Sequence, residues 1–189
     1  MTRDEAYNLL SQHIVNQNLI KHMLATEAVM RALCKRLLQN PSVQVLDNWG
    51  LVGLLHDLDY EMAKEAPEKH GLISKDLLTG KISEPQIYAI MAHNSKYTKV
   101  EPKSALDWSI ACCDELTGLI VASALIHPDK KLSSINAEFV MKRFREKNFA
   151  KGANRKSIER CKEKLGIELE EFIEINLEAM QEIAPILGL

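Results

Sequence analysis

The sequence has little of what builds a β-sheet, a disulfide-bonded scaffold or a zinc site made of cysteines. Aromatic residues make up 5% of the 189 residues, and runs of β-branched residues are scarce. The four cysteines form no CxxC pair and are Cys34, Cys112, Cys113 and Cys161. Cys34 and Cys112 stand in apolar helical contexts, so we interpret the cysteines as buried free thiols of a reducing compartment.

The chain also lacks a strong excess of charge and a long apolar run. A formal net charge of -2 gives no general attraction to nucleic acid or to an anionic membrane, and no dedicated nucleic-acid surface is evident. The longest apolar segments, such as 119–126, are far shorter than the ~20 residues that span a bilayer. Residues 1–5 lack the apolar core of a signal peptide. We therefore expect a cytoplasmic protein with no membrane partner.

What is abundant is Leu, Ile, Ala, Met, Glu and Lys at helical spacing, which predicts an all-α fold. The length suits one domain around a single core. We expect helices over 3–16 and 19–38. The next helix should be capped by Asp47, bury Trp49 to Leu55, and end at the doublet His56-Asp57.

Turn and cap residues divide the rest of the chain into further helices. We expect a short helix over 70–78, a helix from Ser83 to His93, and a polar loop over 94–102. The remaining predicted helices span 104–126, Asn136 to about Phe149, 154–165 and 168–186.

Four of the six histidines form an ordered series with two aspartates. The series consists of His22, His56, Asp57, His70, His93 and Asp114. Imidazole and carboxylate ligands suit Zn, Fe, Mn, Co or Ni, and the absence of thiolates favours a catalytic site over a structural one. Taken singly, each histidine is better explained as an ordinary core or surface residue. The doublet follows an apolar run, however, and burying unpaired charge is costly, so we expect a divalent cation as its partner.

The series of a histidine, a His-Asp doublet and a distant aspartate resembles the HD-domain metal-dependent phosphohydrolase superfamily. Gly53-Leu54-Leu55 before the doublet adds to this resemblance, which covers about residues 19–126 and extends to HDIG-like, two-metal members. More loosely, the chain resembles a small group of predicted HD hydrolases. The resemblance implies a single HD-type domain over 1–189, a bundle of about eight to ten helices. Its core would be 19–126, with C-terminal helices at 136–187 packed on it.

The resemblance also implies roles for the six residues, with Asp57 bridging two ions. The first ion would take the ligands His22, His56, Asp57 and Asp114. The second ion would take the ligands Asp57, His70 and His93. Leu58-Asp59 replaces the Ile-Gly of HDIG, and 59–61 lacks the Glu-Asp pair of ppGpp-hydrolysing members and some nucleotidases. The Gly-Tyr-Pro motif of one class of cyclic-dinucleotide phosphodiesterases is also absent. These departures argue against ppGpp and simple deoxynucleotides as substrates.

The predicted activity is metal-dependent hydrolysis of a nucleotide or other small phosphoester, a monoester or a diester, by a metal-activated water. Candidate catalytic residues are Asp57, Asp59 and Glu61. Asp59 and Glu61 would orient a ligand histidine or the water, unless they are exposed caps or salt-bridge partners. Candidate phosphate-binding residues are Lys96, Lys130, Arg143, Lys147 and Arg155.

Several alternatives stay open. A non-catalytic HD module that binds a metal or a nucleotide for regulation would carry much of the same pattern. The basic segment 142–156 forms a phosphate-facing wall, a solvated surface, or a surface that packs on the oppositely charged segment 168–189. One ion or two ions, and a monomer or a homo-oligomer, are all compatible with the sequence.

Overall fold

The computed structural model describes residues 1–189 as an all-α bundle of eleven α-helices, as the composition predicts. They are α1 (Arg3–His13), α2 (Gln17–Leu37), α3 (Val43–Leu55), α4 (Leu72–Leu78), α5 (Glu84–His93), α6 (Ser95–Thr98), α7 (Ala105–Ile126), α8 (Ala137–Arg145), α9 (Arg155–Leu165), α10 (Leu169–Glu182) and α11 (Ala184–Leu187). Short 3₁₀ turns occur at Pro67–Lys69 and Leu132–Ser134. Because α6 and α11 are single turns, nine longer helices build the bundle.

One hydrophobic core of 43 buried residues extends from Ala6 to Leu187, so helices from both ends of the chain share it. Helix α2 packs along α3, and α7 contacts α2, α5, α9 and α10. In α3 every residue from Trp49 to Leu55 is buried. The shared core makes the bundle a single domain, with α3 and α7 among its most deeply buried parts.

Helix α7 is long and apolar enough to cross a membrane by length and composition alone, with a mean hydropathy of 1.7 over 18 residues. The search for apolar segments in the sequence does not detect α7 as a whole, because Asp114 and Glu115 divide its apolar residues. In the structure 56% of that window is buried by the rest of the chain. The central helix of a soluble bundle has the same character.

The start of α3 differs from the prediction. Ser42 is the N-cap, and its Oγ accepts a hydrogen bond from the Val45 backbone N–H at 3.3 Å. Asp47 therefore lies within the helix, where its carboxylate pairs with Arg31 at 2.8 Å. Ser and Asp cap helices about equally well, so residue type alone did not decide between the two positions.

Two C-terminal helices end earlier than predicted. Helix α8 stops at Arg145 rather than Phe149, because the following residues turn around Arg155. The Arg155 guanidinium donates hydrogen bonds to the carbonyls of Phe144, Glu146, Phe149, Ala150 and Ala153. Helix α10 stops at Glu182, and Pro185 in the next short helix has no N–H with which to continue it.

Helices α2 and α3 approach each other closely at Gly53. A Cβ at this position would lie 2.6 Å from the Thr26 carbonyl oxygen and 2.8 Å from the Glu27 Cα. Both are backbone atoms, so a side-chain movement would not relieve the clash. Helix α3 ends two residues later, at Leu55, and this close packing sets His56 opposite His22 of α2.

Candidate metal centre

Three helices bring three side chains to one point, which we call site A. His22 lies on α2, His56 follows the last residue of α3, and Asp114 lies in the middle of α7. The Nε2 atoms of His22 and His56 are 3.2 Å apart, and they lie 2.9 Å and 3.3 Å from Asp114 Oδ1. Ligand atoms around one ion with bonds near 2.1 Å are roughly 3.0 to 3.4 Å apart in octahedral and tetrahedral shells. Site A could therefore hold a metal ion.

A second group of three, site B, lies beside it. His70 follows the turn at Pro67–Lys69, and His93 is the last residue of α5. Their Nε2 atoms are 3.1 Å apart, and they lie 3.2 Å and 3.6 Å from Asp57 Oδ1. The first two spacings lie in the range expected around a single ion and the third is slightly longer, so site B could also hold a metal ion.

Asp57 joins the two sites through its two carboxylate oxygens. Oδ1 faces the histidines of site B, whereas Oδ2 lies 3.7 Å from His22 Nε2 and 3.5 Å from His56 Nε2 in site A. The side chain is buried, with the residue 6% exposed. The structure thus brings all six predicted ligands together, with Asp57 in the bridging position.

Outer hydrogen bonds fix which nitrogen of each site A imidazole carries the proton. His56 Nδ1 donates to the Gly53 carbonyl at 2.8 Å, and a carbonyl oxygen only accepts. Thr117 Oγ1 donates to the Asp114 carbonyl at 2.7 Å, so it accepts from His22 Nδ1 at 3.1 Å. Both histidines are therefore held with Nε2 directed at site A, the arrangement found in metal-binding histidines.

The site B imidazoles are held in the same way. His93 Nδ1 donates to the Ile90 carbonyl, one turn earlier in α5. His70 Nδ1 donates to Asp59 Oδ1 at 2.8 Å. All four imidazoles in the centre thus use Nδ1 for a protein partner and turn Nε2 towards an ion site.

Asp59, predicted as a catalytic candidate, is fully buried behind His70 and is not among the residues that line the cavity described below. Its Oδ2 accepts hydrogen bonds from the backbone N–H groups of Gly71 and Ser74, both at 2.8 Å. Burial would raise the pKa of Asp59, but the hydrogen bonds from His70, Ser74 and Gly71 outweigh it and lower the pKa. Asp59 is therefore a charged residue that positions His70, one of the two roles proposed for it.

The centre attracts positive charge. Burial lowers the pKa of His56, but the charges of Asp57 and Asp114 outweigh burial and raise it to about 9. Burial likewise opposes a charged His70, whose hydrogen bonds to Asp57 and Asp59 raise its pKa to about 10. Burial disfavours ionisation of Asp57 and Asp114, yet the neighbouring histidines hold the pKa of each carboxyl well below its usual range. Protons and metal ions therefore compete for the same imidazoles.

Both sites line a cavity of about 940 Å³, a volume typical of small-molecule sites. Besides five of the six candidate ligands, the residues that line it are Asn16, Asn18, Leu19, Tyr60, Glu61, Lys64, Asn94, Glu115, Gly118, Ala150, Gly152 and Ala153. His56 is fully buried and lies behind the others.

Glu61, the other catalytic candidate, does line the cavity. Its two carboxylate oxygens accept hydrogen bonds from the backbone N–H groups of Val15 and Asn16, both at 2.9 Å. Glu61 thus holds the connection between α1 and α2 at the edge of the cavity. The hydrogen bonds of its carboxylate give it a structural role and do not link it to a ligand histidine.

None of the five predicted phosphate-binding residues lines the cavity. Lys96, Lys130 and Lys147 are exposed elsewhere on the surface. Arg143 pairs with Glu146 at 2.8 Å, and the Arg155 guanidinium donates to backbone carbonyls. The segment 142–156 does reach the cavity, but through Ala150, Gly152 and Ala153 rather than through its basic side chains.

Sequence reasoning missed Lys64, which is the one lysine or arginine that lines the cavity. Its only sequence signal is its position one turn after Tyr60 and Glu61, which themselves follow the doublet. It also missed Asn94, which lines the cavity and whose side-chain amide donates to the His70 carbonyl at 3.1 Å.

No protein-family model, curated protein or solved structure matches this chain. The resemblance to the HD-domain superfamily therefore rests on the ligand series and stays a prediction. Function has to be argued from the geometry of the centre itself.

Proposed function

We propose that this chain is a metal-dependent phosphohydrolase of the HD type, which holds two divalent ions and hydrolyses a small phosphoester. The observation that carries the proposal is the arrangement around Asp57. One buried carboxylate faces two adjacent groups of imidazoles, and every imidazole is held by its Nδ1 so that Nε2 points inward. Paired ion sites that share a ligand are typical of enzymes acting on phosphoesters.

The donor set and the cavity favour a catalytic centre over a structural one. Structural zinc sites are closed shells, most often rich in thiolates. Here the donors are nitrogen and oxygen, and five of the six candidate ligands line a cavity that is large enough for a small molecule. Fe, Mn, Co, Ni and Zn all suit such donors.

When bound, the ions would activate a water molecule and polarise a phosphoryl oxygen. The residues of the chain do the positioning. Asp57 would serve as a carboxylate ligand of both sites, Asp114 would be the second carboxylate ligand of site A, and Asp59 orients the ring of His70. In the reaction, the water oxygen forms a bond to phosphorus, the ester P–O bond breaks, and the alcohol leaves with a proton.

A cysteine nucleophile does not fit this protein. All four cysteines are buried, and none lines the cavity. Burial raises the pKa of Cys112 to about 12 and that of Cys161 to about 11, so neither thiol is ionised near neutral pH. The attacking group is therefore expected to be water.

The proposal is tested by loading the purified protein with Mn, Co, Ni, Fe or Zn and measuring metal content and turnover. The substrates are p-nitrophenyl phosphate, bis-p-nitrophenyl phosphate, nucleotides, cyclic dinucleotides and sugar phosphates. We expect about two ions per chain and hydrolysis of at least one compound. Binding of these compounds without turnover would contradict the proposal and favour a non-catalytic regulatory module.

A further inference from the structure

The charges that line the cavity are unusual for a site that acts on phosphate compounds. Lys64 is its one lysine or arginine. Four carboxylates line the same cavity, those of Asp57, Glu61, Asp114 and Glu115. Sites that bind chains of phosphates normally surround them with lysine, arginine and backbone N–H groups.

The charge balance then limits how much phosphate the cavity accepts. Two divalent ions would bring four positive charges, and the carboxylates of Asp57, Asp59 and Asp114 offset three of them. The charge that remains, together with that of Lys64, matches one phosphomonoester group, which carries roughly -1.5 to -2 charges. Each further phosphoryl group would add negative charge next to Glu61 and Glu115, with no other lysine or arginine of the cavity to balance it.

The rest of the cavity wall indicates the character of the organic part of the substrate. Asn16, Asn18 and Asn94 present amide groups, and the α8–α9 connection contributes only the small residues Ala150, Gly152 and Ala153. Leu19 and Tyr60 are its only large apolar or aromatic side chains. Such a wall suits hydroxyl groups or a nucleobase, whereas an acyl chain would find little apolar surface.

We propose that the substrate is a phosphomonoester of a polar, uncharged alcohol, a sugar or a nucleoside, and that Lys64 is the one side-chain cation that binds it. This proposal rests on the proposed function. Water supplies the oxygen that bonds to phosphorus, the bond between phosphorus and the ester oxygen breaks, and the products are the alcohol and inorganic phosphate. Polyphosphates, phosphodiesters and lipid phosphates are poor substrates.

The first test compares kcat/KM across substrate classes with metal in excess. The expected substrates are a nucleoside monophosphate and a hexose phosphate, the two monoesters of polar alcohols. The compounds of the other classes are the nucleoside di- and triphosphates, a cyclic dinucleotide and a long-chain alkyl phosphate. We expect at least one monoester to exceed every compound of the other classes by about tenfold or more, and the two monoesters distinguish a nucleoside from a sugar. Equal or faster hydrolysis of a polyphosphate, diester or lipid phosphate overturns this inference and leaves the phosphohydrolase proposal standing. Turnover of none of them overturns both.

The second test measures binding without turnover. Calorimetry compares a non-hydrolysable phosphonate with the corresponding bisphosphonate, with free metal in excess and metal content checked afterwards. We expect Lys64→Gln to weaken phosphonate binding roughly 3- to 10-fold, because one partly exposed charge contact is lost. Lys142→Gln, a matched exposed lysine that does not line the cavity, should leave binding unchanged. Unchanged binding in Lys64→Gln would overturn the role of Lys64.

A substitution that adds a cation tests whether the charge of the cavity, rather than its shape, limits the binding of a second phosphoryl group. Asn18 is exposed and lines the cavity, so Asn18→Lys adds a second cation to the wall without disturbing the core. We expect this variant to bind the bisphosphonate more tightly relative to the phosphonate by about 3-fold or more. Asn18→Gln should keep the original ratio. An unchanged ratio in Asn18→Lys would overturn the charge argument.

Discussion

Sites A and B lie side by side, yet the protein assembles them differently. The Nδ1 atoms of the site A histidines form hydrogen bonds with uncharged groups, the Gly53 carbonyl and the Thr117 hydroxyl. In site B the partner of His70 is the buried carboxylate of Asp59. Site A has a carboxylate ligand of its own in Asp114, whereas site B has only its share of Asp57.

The difference shows that the two candidate sites have a similar charge from different sources. Each site is served by two carboxylates, one of which is the shared Asp57. For site A the second carboxylate, Asp114, would contact the ion directly. For site B it is Asp59, which would act through the ring of His70, because a carboxylate that accepts from a ligand imidazole makes that imidazole a stronger donor.

The largest effect should come from the residue that the two sites share. We expect Asp57→Ala to lose both ions and at least about 100-fold of any hydrolytic activity, because neither site then keeps its bridging ligand. Elemental analysis of the purified variant checks this directly. His127→Ala is the control, since His127 lies outside the centre and contacts Asp129 and Phe139 instead. Normal metal content in Asp57→Ala would contradict the assignment of the centre.

Removal of a candidate ligand that belongs to one site should abolish metal binding at that site and leave the other site occupied. We expect Asp114→Ala to empty site A and His93→Ala to empty site B, so that each variant retains about one ion per chain. Metal content and the ratio of bound to free metal in equilibrium dialysis are the measurements. If either variant loses both ions, the two sites bind metal cooperatively and are not independent of each other.

Substitutions of residues that hydrogen-bond to the candidate ligands should have smaller and unequal effects on metal affinity. Asp59→Asn keeps the shape of the side chain but removes its charge, and we expect metal affinity at site B to fall about 10- to 100-fold. Thr117→Val removes a neutral partner of His22, so the loss at site A should be smaller. Each substitution is combined with Asp114→Ala, which keeps site B, and with His93→Ala, which keeps site A. Metal titration of these double variants then assigns each loss of affinity to its site. An equal loss from both substitutions would show that the charge of Asp59 is unimportant.

How far the sequence predicted this centre depends on the kind of atom involved. The six candidate ligands are imidazoles and carboxylates, so residue type and order were enough to select them. The carbonyls that orient His56 and His93 belong to the backbone, and no residue type marks them. Asp59 was visible as an acidic residue near the doublet, but the turn at Gly71 decides that it faces His70. Gly71 has a φ of 89°, a conformation that glycine adopts readily.

The phosphate-binding prediction failed to place its residues at the cavity for a related reason. The basic residues of 142–156 are neighbours along the chain, and a cluster in sequence does not define which way side chains point. Arg155 turns inward to bind the carbonyls of its own connection, so small residues reach the cavity instead. Lys64 stands outside any basic cluster and gave no comparable signal. Helices were easier to predict, since their apolar spacing repeats over several turns.

The smallest effect is a release of protons, and it tests whether the two sites are electrostatically alike. The pKa of His56 is about 9 in site A, and that of His70 is about 10 in site B. Both values lie above pH 7.5, so each imidazole is protonated in the metal-free protein at that pH and must lose its proton when metal binds. We expect about one proton released per site, measured by calorimetry in buffers of different ionisation enthalpy. The release should fall as the pH rises through about 9 for site A and through about 10 for site B, because each imidazole is then already neutral before metal binds.

Since Asp114→Ala and His93→Ala each keep one site, they report the two releases separately. Asp114→Ala keeps site B and reports the proton of His70, whereas His93→Ala keeps site A and reports the proton of His56. No release from either variant at pH 7.5 would mean that the imidazoles are already neutral and that the carboxylates do not set the charge of the centre.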